Sequence, residues 1–139
     1  MHAAGLLMRG ALVALPTETV YGLAGRSDDP TVLRRIFSAK NRPANNPLIL
    51  HCCDVEQVEQ VAVLGHEARQ LAQAFWPGPL TLLLPRREGV LDEACAGLPR
   101  VAVRIPESDV FRRIIAAVGV PLAAPSANMS GCVSPTRAE

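Results

Sequence analysis

The chain is poor in aromatic side chains, with one Trp, one Tyr and three Phe among 139 residues. Its core is therefore expected to be aliphatic, and it lacks the exposed rings on which a single-stranded nucleic-acid binder stacks bases. It also lacks an excess of charge of either sign: 14 Lys and Arg face 13 Asp and Glu, a net charge of +1. That balance argues against a nucleic-acid surface covering the molecule, although a local basic patch leaves a weak RNA contact open. No apolar run approaches the ~18 residues of a membrane-spanning helix, so no membrane association is expected. The four cysteines, Cys52, Cys53, Cys95 and Cys132, form no C-x-x-C pair and are accompanied by only three histidines. Neither a zinc site nor a disulfide framework follows, and no metal-ligand cluster is visible. Reduced, buried thiols in a cytoplasmic protein are the expectation. The apolar start is interrupted by Arg9 with no charged segment before it, unlike a signal peptide. Ser–His–Asp and glycine-rich P-loop patterns are missing as well.

What is present is a chain long enough for one domain, in which short apolar runs alternate with helical stripes. Residues 11–15 read as a buried strand that stops at Pro16, and residues 16–25 as a polar loop carrying Thr17, Thr19 and Tyr21. Asp29-Pro30 opens a helix, with Asp at the cap and Pro at the first helical position, and Val32, Leu33, Ile36 and Phe37 form its inward stripe. Residues 47–52 read as a strand that carries His51 near its end. Asp54 caps a helix with Val55, Val58 and Val61 inward. A second helix presents Ala68, Leu71, Ala72, Phe75 and Trp76 and ends at Pro77-Gly78-Pro79. Residues 80–84 read as a strand, 86–99 as a loop, and 101–105 as a strand with Arg104 turned away from Val101, Val103 and Ile105. A helix starting at Pro106 or Ser108 has Val110, Phe111, Ile114, Ile115 and Val118 inward and Gly119 as its stop. Residues 120–124 form a last strand, for which no neighbour is evident, followed by the polar segment Pro125-Ser126-Ala127-Asn128. Ser134-Pro135 has the signature of a helix start that is not continued past Glu139, so a C-terminally incomplete domain is expected over 1–139.

Chemistry concentrates in three polar stretches beside strands. The most telling runs Ser38-Ala39-Lys40-Asn41-Arg42-Pro43-Ala44-Asn45-Asn46-Pro47. Its prolines fix φ and end the helix, and its asparagines suit a turn. Two cations on a stiffened loop lose little entropy on meeting a phosphate. With the hydroxyls near Thr19 and the Ser126–Asn128 stretch, the set suits binding and orienting polyanions better than covalent catalysis. A solvated helix end, a plain strand turn and a core histidine at position 51 are the ordinary alternatives for the same residues.

Six ordered motifs then carry a resemblance: Pro16-Thr17-Glu18-Thr19-Val20-Tyr21-Gly22-Leu23, Lys40-Asn41-Arg42-Pro43, Pro47-Leu48-Ile49-Leu50-His51, Pro77-Gly78-Pro79-Leu80-Thr81, Val103-Arg104-Ile105-Pro106 and Pro125-Ser126-Ala127-Asn128-Met129-Ser130-Gly131. In this order they resemble the YrdC-type threonylcarbamoyl-AMP synthases, over nearly the whole chain. The resemblance implies an α/β fold with a twisted mixed sheet, flanking helices and a deep cavity. It implies a nucleotidyltransferase that forms threonylcarbamoyl-adenylate and pyrophosphate from L-threonine, bicarbonate and ATP, with Mg²⁺. The product passes to a tRNA threonylcarbamoyl-transferase complex for the t6A37 modification. By the same resemblance, Lys40 and Arg42 act on the transferring phosphate, and Lys40, Arg42, Asn46, Asn128 and Thr136 bind ATP. Thr19, His51 and Ser126 meet threonine; Arg104 lines the same cavity and is assigned to threonine too. Family members continue past the equivalent of Glu139, and that further segment carries more of the nucleotide site. Two other readings stand beside this one: an RNA-binding module, and a YrdC-like domain of a larger carbamoyl-transfer maturation enzyme.

Overall fold

The computed structural model describes residues 2–16, 21–40 and 48–125. Among these described residues, six helices and six strands follow one another in the order α1 (His2–Met8), β1 (Val13–Pro16), β2 (Tyr21–Arg26), α2 (Pro30–Lys40), β3 (Ile49–His51), α3 (Val55–Val61), α4 (His66–Phe75), β4 (Leu82–Pro85), α5 (Asp92–Cys95), β5 (Arg100–Arg104), α6 (Asp109–Val118) and β6 (Leu122–Ala124). The strands form one mixed sheet in the order β1-β2-β6-β3-β5-β4. Only β3 and β5 are parallel; each of the other pairs is antiparallel.

Side chains alternate across a strand, so each strand feeds two cores. Leu48, Leu50, Cys52, Leu82, Leu84, Val101, Val103 and Ala123 project to one face, beneath Val32, Leu33, Ile36 and Phe37 of α2, Val58 of α3 and Ala94 and Cys95 of α5. Leu15, Ala24, Leu122 and Ala124 project to the other, beneath Ala4 and Leu7 of α1 and Phe111, Ile114, Ile115 and Val118 of α6. The two-face burial explains why β3, β5 and β6 read as continuous apolar runs rather than alternating ones.

The helix ends are set by the residues expected to set them. Asp29 accepts from the Thr31 N–H at 3.0 Å and precedes Pro30. Asp54 Oδ1 accepts from the Gln57 N–H at 2.8 Å, and Ser108 Oγ from the Phe111 N–H at 3.1 Å. Gly119 ends α6 with φ 91°, a left-handed conformation that costs glycine nothing. Trp76-Pro77 is a cis peptide, and the Trp76 indole donates to the Leu80 carbonyl at 2.7 Å.

Several expectations are corrected. The apolar start, to which the sequence assigns no element, is a helix: α1 lies against α6, and Arg26 donates to the Met8 carbonyl at 2.6 Å, anchoring its end. Residues 21–25, read as part of the polar loop, belong to β2, which runs on to Arg26. The reason is Gly25, whose missing Cβ lets α2 approach: an added Cβ would stand 2.5 Å from Val32 Cγ1. A glycine with that role carries no strand propensity for a sequence reading to detect. The stretch read as a loop over 86–99 holds α5, whose four residues include the fully buried Ala94 and Cys95. Phe75 and Val110, placed inward, are 55% and 53% exposed, because each sits at the margin of its helix's apolar stripe. Finally, β6 does not lack a neighbour. It lies inside the sheet between β2 and β3, with Gly25↔Ala123 and Ile49↔Ala124 in register. An antiparallel return through the middle of the sheet is a long-range pairing with no local sign in the chain.

Candidate functional site

β1 and β6 leave the sheet at the end where β2 and β3 enter it, as the antiparallel registers Pro16↔Tyr21, Gly25↔Ala123 and Ile49↔Ala124 require. Residues 17–20, 41–47 and 126 onward therefore join the described strands at one edge of the sheet. These are the three polar stretches picked out from the sequence. The joining order differs from that of an open parallel sheet, in which strand carboxyl ends alone line the crevice; here the amino end of β3 takes part.

Two candidate residues stand on described strands. His51 ends β3 and Arg104 ends β5, and they are directly paired across the parallel ladder. In-register residues on adjacent strands share a face, with strand axes ~4.8 Å apart. The Cys52 N–H donates to the Arg104 carbonyl at 2.9 Å, which extends the ladder past both residues. Leu122, the register partner of His51 on β6, belongs to the α1/α6 core, so His51 and Arg104 project to that face. His51 is 3% exposed and its ring stacks on Phe111, with centroids 5.0 Å apart and planes 23° apart. Arg104 is half-buried. His51 is two residues, or roughly 7 Å along an extended strand, from Ile49, where residues 41–47 join.

Of the other candidates, Lys40 is the last residue of α2, and its side chain lies outside the described residues. Thr19, Arg42, Asn46, Ser126, Asn128 and Thr136 lie outside them too, as does the helix start at Ser134. Phe111 entered the sequence reading only as a core residue of α6. The spacing of a Ser cap and a Phe three residues on places the ring on the inner face but says nothing of what it meets.

The three described cysteines, Cys52, Cys53 and Cys95, lack the lowered thiol pKa of an activated nucleophile. Burial, then the neighbouring Cys53 and Asp54, push the Cys52 thiol far above the ordinary thiol range. Burial likewise raises Cys53 and Cys95, the latter in spite of Arg86 beside it. Among the described residues no three His, Cys, Asp or Glu side chains converge as a metal set would. The two described candidate residues, His51 and Arg104, offer no carboxylate that would hold Mg²⁺, so no step is written through that ion. A groove of about 520 Å³ opens elsewhere, between the start of α4 and β4, lined by Val63, His66, Glu67, Leu71 and Leu84. Leu84 belongs to the opposite core, so this groove is separate from the His51–Arg104 face, and no Lys or Arg is among its lining residues.

A family model named for Sua5, YciO and YrdC, described as telomere recombination, matches residues 5–139. The chain belongs to the Sua5/YciO/YrdC family. It is 51% identical over 137 residues to the threonylcarbamoyl-AMP synthase of Pyrococcus abyssi, covering 98% of this chain and 40% of that protein. It is 45% identical to the Bacillus subtilis protein of the same name, covering 99% of this chain and again 40% of the relative. The chain thus spans about two fifths of the length of these Sua5/YciO/YrdC relatives. The crystal structure of P. abyssi Sua5 complexed with L-threonine superposes with a TM-score of 0.87 at 50% identity, over 92% of this chain and 38% of that one. The more distant full-length HypF, in a phosphate- and nucleotide-bound form, superposes with a TM-score of 0.75 at 20% identity, a likeness of fold. The twisted mixed sheet with flanking helices is therefore the family's architecture. No described helix is long and apolar enough to cross a membrane.

Proposed function

We propose that this protein is a threonylcarbamoyl-AMP synthase. The amine of L-threonine and bicarbonate form N-carboxythreonine with loss of water. A carbamate oxygen then attacks the α-phosphorus of ATP, and the bond to the β-phosphate breaks, releasing pyrophosphate. Mg²⁺ accompanies the nucleotide. The adenylate is handed to a tRNA threonylcarbamoyl-transferase complex for t6A37 formation.

The observation that carries the reading is the pairing of His51 with Arg104 at the carboxyl ends of β3 and β5, roughly 7 Å along β3 from the edge where the three polar stretches join. A guanidinium can take a carboxylate through two parallel hydrogen bonds, and an imidazole can donate to or accept from a hydroxyl. Those are the two polar groups that distinguish threonine once its amine has become the carbamate. The identity to threonylcarbamoyl-AMP synthases and the likeness to a threonine-bound Sua5 support the same assignment. Lys40 and Arg42, with Asn46, Asn128 and Thr136, serve the nucleotide; Thr19 and Ser126 join His51 and Arg104 at threonine. Two anions must be brought together in this reaction, and paired cations offset their repulsion and the charge that develops on the phosphate.

The test is to replace Lys40 and Arg42 singly by Ala. Loss of one charge-assisted phosphate contact costs ~1.5–3 kcal/mol, so ATP affinity should fall at least tenfold while threonine affinity holds. Unchanged ATP affinity and adenylate formation in both variants would remove the assignment.

A further inference from the structure

We propose that Phe111 is a positioning residue for threonine recognition, its ring setting the plane of the His51 imidazole; this rests on the threonine role of His51 given above. The two rings stack with centroids 5.0 Å apart and an angle of 23°. An imidazole presents its nitrogens only in the ring plane, and the torsion that rotates that plane is intrinsically broad. The His51 backbone alone leaves the plane of the ring open. A flat neighbour in near-parallel contact restricts it. An aliphatic side chain of similar volume fills the same space without imposing a plane.

The remaining contacts hold Phe111 in relation to the strands that carry His51 and Arg104. The Phe111 N–H is held by Ser108 Oγ at 3.1 Å. The Arg112 guanidinium donates to the Pro106 and Glu107 carbonyls at 2.7 and 2.8 Å, bracing the connection between Arg104 and α6. The Gly78 N–H holds the Ile105 carbonyl at 2.9 Å, and the Cys52 N–H holds that of Arg104. These hydrogen bonds tie down the end of the β3–β5 ladder and the start of α6, the two elements that the ring stack joins.

The experiment measures threonine and ATP affinities calorimetrically on the full chain as wild type, Phe111→Met and Phe111→Tyr. Methionine keeps the volume and removes the plane; tyrosine keeps the plane. Threonine affinity is expected to fall at least fivefold in Phe111→Met and to stay within twofold of wild type in Phe111→Tyr, with ATP affinity within twofold throughout. Equal threonine affinity in Phe111→Met and wild type overturns the proposal, as does a parallel loss of both ligands. Failure of wild type itself to bind threonine overturns the functional reading as well, so the two failures are distinguishable. If Phe111→Met does not fold, wild-type NMR decides. Threonine should shift the His51 and Phe111 ring resonances together and an ATP analogue should not; absence of a threonine-dependent shift at Phe111 overturns the proposal.

Discussion

Replacing His51 separates its two roles. The side chain is 3% exposed and stacked on Phe111, so truncation removes packing whatever else it removes. Deleting a buried ring leaves a cavity and costs about 3 kcal/mol. At roughly 3–5 °C per kcal/mol for a chain of this size, His51→Ala should lower Tm by about 10 °C. That exceeds the few degrees expected of a histidine serving the ligand alone, and the difference is the burial. Reduced threonine binding in this variant would therefore prove little. His51→Phe is the informative change: it preserves a plane against Phe111, keeps the aromatic pair worth ~0.5–1.5 kcal/mol and removes both nitrogens. Its extra bulk should cost ~1–2 kcal/mol, a Tm loss within about 10 °C. Losing a hydrogen bond to threonine should cost ~1–3 kcal/mol, roughly 5- to 150-fold in affinity. Thermal melts and calorimetric threonine titrations read both. A folded His51→Phe protein that binds threonine like wild type would refute the reasoning and leave His51 a core residue.

Gly25→Ala should lower Tm by about 5–10 °C, because its Cβ would stand 2.5 Å from Val32 Cγ1 and 2.9 Å from Leu12 Cδ2, and overpacking costs ~1–3 kcal/mol; adding Val32→Ala should cost less than the sum of the two changes, and full additivity would contradict this. The Cys52 thiol, raised far above the ordinary range by burial, should resist iodoacetamide at pH 8 in the native protein and react in denaturant; rapid native labelling of Cys52, read by mass spectrometry, would contradict it. Arg26 holds the Asp28 carboxyl below its ordinary value of 3.8 through a 2.6 Å contact. The small stabilisation this gives a half-exposed pair is present above about pH 4 and is lost as pH falls through the lowered value, because the unfolded chain binds the proton first. Asp28→Asn should therefore flatten the acid limb of Tm against pH, and an unchanged limb would show that the pair contributes nothing.

Local chemistry made the helices legible. Asp29, Asp54, Ser108 and Gly119 each announce a boundary through a backbone group they satisfy or a φ they permit, and the structure shows them in those roles. The inward stripe of α2 was legible for the same reason, since its period is the helix's own. The strands were legible as apolar runs but their order was not. That β6 returns between β2 and β3 depends on pairing across about a hundred residues of chain. Gly25 and α5 were missed because close approach and burial of a single turn leave no period. In the candidate site, the sequence motifs named His51 and Arg104 separately; their shared register and the ring stack on Phe111 are properties of the sheet.

The most direct test of the account measures pyrophosphate release by the purified protein while L-threonine, bicarbonate and ATP are omitted in turn. The account predicts that release requires all three and saturates with threonine, and that threonylcarbamoyl-adenylate accumulates in equal amount. Pyrophosphate release that is indifferent to threonine, or ATP turnover without the adenylate, would contradict it.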